Sequence, residues 1–248
     1  CAFEAVEALL KAGFTPERDV YLSFGHDEET GGRGAPAIVA HLEGLGVKPG
    51  LVLDEGGAVV RGVFPGVEKP LVMVGVAEKG VTDIELSVRS QGGHSSTPPR
   101  RGAAWRLARA ITRLEARPFP ASFPAATRLM FSRIAPHAPA GLRLVLGNLW
   151  LFEPLLLMVF GRAGGELGAM CRTTMAVTML QGSDAANVLP AVAKAVVNVR
   201  VAIGQSVESV VERMKAVIDD PLVELRVLLP GEPSPVSELS GPRFDALS

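Results

Sequence analysis

The chain has 248 residues, 48% of them hydrophobic, and a formal net charge of -1. That composition suits a globular chain of one large or two smaller domains, and it offers nucleic acid neither a basic surface nor a binding motif. Cys1 and Cys171 are its two cysteines, too few for a disulfide framework or a cysteine metal site. Charge is uneven. Residues 1–85 hold fourteen Asp or Glu against seven Lys or Arg, whereas residues 89–143 hold ten Arg and one acid, Glu115.

In chain order, a first helix is expected at residues 3–12, with Gly13 as its C-cap. Val20 to Phe24 is apolar, β-branched and aromatic, and reads as a buried strand. It runs into Gly-His-Asp-Glu-Glu-Thr-Gly-Gly at residues 25–32, where the glycines force a turn before helical periodicity from Ala35 to Leu45, closed by Gly46. Leu51 to Leu53 reads as a second strand ending in Asp54-Glu55-Gly56-Gly57, and a third follows at Leu71 to Val76. Alternating helices and strands predict a mostly parallel α/β sheet over residues 1–76.

The strand ends are where such a sheet puts its ligands. Three or more carboxylates in one crevice repel each other unless a cation or a shared proton intervenes, so a metal site is the economical reading. A solvated acidic turn is the plain alternative, disfavoured because a second acidic tip follows a second apolar strand. Neighbouring Glu28 and Glu29 point in different directions at a strand end. One can hold a divalent ion such as zinc while the other removes a proton from water.

From Val81 the pattern changes. Ile84, Leu86 and Val88 alternate with Asp83, Glu85 and Ser87, as in a strand with one solvated face. An amphipathic helix at residues 102–117 follows, then strands at 173–180 and 192–201, a helix at 207–218 and a strand at 223–229. This β-α-β-β-α-β order is the ferredoxin-like split motif. Arg106, Arg109 and Arg113 recur at helical spacing, which most often marks a solvated face. Residues 118–170 interrupt the motif as an insertion. Its apolar stretch, Leu142 to Phe160, contains Arg143, Asn148, Glu153 and Pro154, which argues against a transmembrane helix. A buried helical hairpin or a partner-facing patch is expected, with a wall for a greasy substrate group as the functional alternative. Membrane contact is not expected. After Pro230 a Pro-rich stretch reads as a linker.

Three more residues stand out. His94 lies in Gly-Gly-His-Ser-Ser, where the glycines leave room for backbone approach; the plain reading is a locally bonded loop histidine. Asn187 and Arg200 flank a strand, and a structural salt bridge is the plain reading of Arg200.

Taken together, GHDEETGGRGA, LVLDEGG, GVAEKG, GGHSSTPP and NVLP with a downstream Arg resemble the M20 family of dinuclear zinc metallopeptidases, nearest its Gly-Xaa carboxypeptidase and N-acyl amino acid hydrolase branch. The resemblance implies part of a zinc-peptidase-like catalytic α/β domain plus an inserted ferredoxin-like α+β lid that dimerises. The expected divisions are 1–78 catalytic, 79–229 lid with its insertion at about 118–170, and 230–248 returning to the catalytic domain. It implies Glu28 as general base, Glu29 as ligand of one zinc ion and Asp54 as ligand of the other. His94 would steady the oxyanion, in dimeric members at the partner's site, and Asn187 with Arg200 would hold the substrate's free carboxylate. Lys79 and Asp27 are weaker candidates, for hinge chemistry and ligand orientation. The implied activity is hydrolysis of an amide bond beside a free carboxylate, in a dipeptide or N-acyl amino acid. Another M20-type deacetylase or a non-catalytic dimerisation module are the alternatives.

The family pattern also contains an upstream His-x-Asp, a bridging Asp and a late His. His26, His41, His94 and His137 match none of these, so the sequence reads as an internal fragment that is itself expected to lack activity and to bind little or no zinc.

Overall fold

The computed structural model describes residues 2–28 and 32–245. The chain divides into two compact units, one up to Asp54 and one from Glu55 onward. The first holds helices α1 (Ala2–Lys11) and α2 (Gly34–Gly44). Both end as the glycines predict. Gly13 and Gly46 take φ of +75° and +73°. Phe14 N–H reaches the Leu9 carbonyl at 3.0 Å and Gly13 N–H that of Leu10 at 3.0 Å. Val47 and Gly46 repeat the pair on Leu42 and Glu43, at 3.0 and 2.9 Å. These are the paired bonds of a Schellman stop, open to glycine because it tolerates positive φ.

The strands expected at 20–24 and 51–53 do not form, and with them the parallel sheet is missing. Among the described residues neither run joins a ladder, and Val20, Tyr21, Phe24, Val52 and Leu53 are exposed. A parallel strand needs at least one neighbouring strand to bond and layers that cover both its faces. The apolar signature is present; the neighbours are not.

In the second unit β1 (Ala58–Val60) pairs antiparallel with β2 (Leu71–Met73). The lid motif then appears nearly as expected: β3 (Gly80–Arg89), the two-residue β4 (Gly93–His94), α3 (Ala103–Ala116), the inserted helices, β5 (Thr174–Gln181), β6 (Val188–Leu189), β7 (Val192–Val201), α8 (Val207–Ile218) and β8 (Val223–Leu229). The sheet is antiparallel in the order β5-β7-β3-β8, the ferredoxin-like arrangement. Its register sets Ile84 opposite Val197, Leu86 opposite Ala195 and Val88 opposite Ala193. All are buried, and they pack under Leu107, Ala110 and Leu114 of α3 and Val210, Met214 and Val217 of α8. The alanines of β7 leave room beneath the helices. On the other face Lys194 meets Glu85 at 2.9 Å, Arg226 lies 3.7 Å from Glu85, and Asn198 donates to Asp83 at 2.7 Å.

The basic stripe of α3 is structural. Arg106 pairs with Asp220 at 2.7 Å, and Arg113 donates to the Ile218 and Asp219 carbonyls at the C-terminal end of α8, where a cation is favoured. Arg109 lies over the Trp105 ring, 5.3 Å from its centroid.

The insertion folds as α4 (Ala125–Ile134), a 3-10 turn, α5 (Ala140–Gly147), α6 (Leu149–Ala163) and α7 (Gly165–Cys171). It has its own core of Phe123, Phe131, Ile134, Ala138, Leu146 and Cys171, in which Phe123, Phe131 and Phe160 meet edge to face.

Two chain segments cross side by side at the start of β3. Ser234 N–H donates to the Glu78 carbonyl at 3.0 Å, Glu78 N–H to Ser234 Oγ at 2.7 Å, and Ser237 N–H to the Val76 carbonyl at 2.8 Å. Gly80 and Gly231 permit the approach, because a Cβ on either would run into the other strand's backbone.

Candidate functional site

The acids lie in the first unit. Asp27, half-buried, accepts from the N–H groups of Arg33 (2.9 Å) and Gly34 (3.1 Å) and so caps the N-terminus of α2. Gly32 and Gly34 press against this carboxylate closely enough that a Cβ on either would clash. The Asp27 cap therefore crowds Gly32 and Gly34 and fixes how the chain enters α2. Glu28 follows directly and is exposed. Glu29, expected as a metal ligand, lies outside the described residues. Asp54 is exposed, at the end of the run 51–53.

His94 and Asn187 come together in the second unit. β4 pairs with β6, setting Gly93 opposite Leu189 and His94 opposite Val188, and Ser95 N–H donates to the Asn187 carbonyl at 2.9 Å. Gly92 and Gly93 both have positive φ, which makes this crossing possible. The His94 ring is exposed but oriented. Its Nδ1 accepts from Ser96 N–H at 3.2 Å and lies 2.8 Å from Ser96 Oγ. A nitrogen that accepts a backbone N–H carries no proton, so in the neutral ring the proton sits on Nε2. The structure thus presents an N–H donor next to Asn187. Ser96 was not among the expected residues, although a hydroxyl two positions after a histidine is a readable signal for such a bond.

Arg200 sits near the end of β7, opposite Val81 on β3 and Thr174 on β5. It is on the partly solvated face and forms no ion pair among the described residues, because the acids of that face are taken by Lys194, Arg226 and Asn198. The structural salt bridge that the sequence allows is absent there. Lys79 is half-buried and donates to the Arg172 carbonyl at 2.5 Å. Burial, joined by the positive field of Arg200 and opposed by Cys171, holds the Lys79 pKa below the usual lysine value. Two cations therefore share one end of the sheet.

These groups do not form a metal centre on their own. Among the described residues no three His, Cys, Asp or Glu side chains come together in a group that could hold an ion, and zinc wants about four ligands. The second unit holds polar groups at the two ends of its sheet: an N–H donor on the His94 imidazole, with the Asn187 backbone beside it, beyond the Arg89 end of β3, and an exposed guanidinium, a fork suited to a carboxylate, at the Val81 end.

The family described as the peptidase dimerisation domain of M20 peptidases matches residues 76–226, the span of the ferredoxin-like lid and its insertion. The carboxypeptidase S-like protein 2 of Dictyostelium discoideum is 40% identical, covering 98% of this chain and 47% of that protein. Human N-fatty-acyl-amino acid synthase/hydrolase PM20D1 is 38% identical over 94% of this chain and 47% of its own length. Carboxypeptidase S of Saccharomyces cerevisiae is 30% identical over 99% of this chain and 48% of its own. The chain thus spans about half the length of the curated relatives it matches. By this match and by its sheet order, the chain belongs to the M20 peptidase dimerisation domain family.

Proposed function

We propose that the complete protein hydrolyses the amide bond beside a free carboxylate, in an N-acyl amino acid or a dipeptide. The observation that carries this reading is an Arg200 guanidinium that lacks a carboxylate partner among the described residues, and an oriented His94 donor beyond the opposite end of the same sheet supports it. Arg200 and Asn187 hold the substrate carboxylate, His94 Nε2–H bonds the oxygen on which charge develops, and Glu28 removes the proton of the attacking water. The names of the relatives, hydrolases of N-fatty-acyl amino acids and carboxypeptidases, fit a substrate with that carboxylate. Two zinc ions belong to the proposal for the complete protein, with Glu29 and Asp54 among their ligands.

In the same reading residues 1–78 belong to the catalytic domain, 79–229 form the lid and 230–248 return to the catalytic domain. The side-by-side crossing at Gly80 and Gly231 supports a lid inserted between two such passes. The lid makes a homodimer. Edge strand β5 has no second neighbour and exposes Val177, Met179 and Leu180, which suits pairing with another copy.

The test is turnover of an N-acyl amino acid by the complete protein against its C-terminal carboxamide. A free-acid preference should appear, and Arg200→Ala should lower kcat/KM for the acid about 10–150-fold, the loss of one hydrogen bond to a charged group. Activity on the carboxamide should change little. Equal losses on both substrates would remove Arg200 from carboxylate recognition.

A further inference from the structure

Among the described residues nothing covers the outer face of α6. Its inner side, Leu149, Leu156, Leu157 and Phe160, packs on the core of the insertion. The outward positions are Trp150, Leu151, Pro154, Leu155, Met158 and Val159, all exposed, with Trp150 at 80%. They recur at the three- and four-residue spacing of one helix stripe. Arg162 continues the stripe one turn beyond Met158, so tryptophan stands near one end and arginine at the other, about 18 Å apart at 1.5 Å rise per residue. No acid lies on it. Leu144 of α5 adds a further exposed apolar side chain.

The insertion that carries the stripe is positively charged. Residues 118–164 contain four arginines, no lysine and one acid, Glu153. Glu153 is engaged by Arg128 through both carboxylate oxygens, at 2.9 and 2.6 Å. Arg133, Arg143 and Arg162 therefore have no carboxylate partner among the described residues. No single helix is long and apolar enough to cross a membrane, and α5 and α6, apolar together, are bent by 103°. The geometry is that of a helix lying along a surface rather than through it.

We propose that the α6 stripe docks on an anionic lipid surface, with Leu151, Leu155, Met158 and Val159 entering the acyl boundary. Trp150 sits at headgroup depth, where its amphipathic ring is favoured, and Arg162 at the other end of the stripe meets the lipid phosphates. The opposite charge of Arg162 and the positive insertion to such a surface decides for lipid over a second copy, which would bring the same positive charge to this face. The sequence reading did not expect membrane contact; the exposure of the stripe, which sequence cannot show, changes that expectation.

The test is flotation of the complete protein with vesicles of phosphatidylcholine alone or mixed with phosphatidylglycerol. Binding should be stronger to the mixed vesicles and weaken with salt. In a background whose other tryptophans, Trp105 included, are phenylalanine, Trp150 emission should shift to the blue on binding. The Leu155→Glu/Met158→Glu protein should bind at least tenfold more weakly, and Arg162→Glu should reduce the preference for anionic vesicles. Circular dichroism checks that each variant is folded. Turnover of a short-chain N-acyl amino acid should be unchanged. Absence of flotation would overturn the proposal, as would flotation indifferent to both variants or Trp150 already shielded from acrylamide without vesicles. A variant that lowered only the oligomeric state would assign the face to a second copy instead.

Discussion

At the scale of single residues, polar groups are more legible in sequence than their roles. The family resemblance offers Asp27 as a group that orients a metal ligand, whereas the structure shows it in a different, local role as the cap of α2. Asp27→Ala should cost about 0.5–2 kcal/mol, the usual loss for a cap, seen as a lower melting temperature. No change in melting would show that the cap contributes nothing. Long-range partners are not legible. Nothing in the sequence pairs Arg106 with Asp220, 114 positions away. Burial opposes the charge of Asp220, but the Leu222 N–H, the Arg106 guanidinium and the field of Arg109 outweigh it and hold its pKa below the ordinary value. A carboxyl whose pKa is depressed by folding adds stability above its unfolded value, about 3.9, and that stability fades as pH falls through the lower folded value. Arg106→Gln should therefore lose about 1–3 kcal/mol in urea melts at pH 7. The gap should narrow below about pH 4, and a gap independent of pH would contradict the assignment.

At the scale of elements, the lid was legible and the first unit only in part. β7, α8 and β8 fall on the expected residues, and the alternation Ile84, Leu86, Val88 faces inward as its period of two requires. These strands find their antiparallel neighbours within the chain, so local pattern and tertiary pairing agree. The runs 20–24 and 51–53 have the composition of parallel strands without neighbours to bond, and composition alone makes no ladder. The insertion shows a third case. Its apolar stretch was expected as a buried hairpin or a partner-facing patch, and α6 buries one side and exposes the other. Hydrophobicity ranks a segment's need for cover but does not name what covers it.

At the scale of the whole molecule, the acids lie in one unit and the His94, Asn187 and Arg200 groups in the other, and the family is one of dimerisation domains. The account requires both sets to serve one reaction, with His94 acting at the partner's acids. Glu28→Gln in the complete protein should abolish turnover while leaving its metal content unchanged, because it removes the base and keeps the ligands. Loss of metal with turnover retained would require the roles of Glu28 and Glu29 to be exchanged. The most direct measurement of the central claim mixes complete His94→Ala and Glu28→Gln proteins, each inactive alone, after verified subunit exchange. A heterodimer then contains one intact composite site, and activity should return to about a quarter of the wild-type value if exchange is random and sites act independently. Activity that stays at the level of the separate variants would contradict a site shared between two subunits.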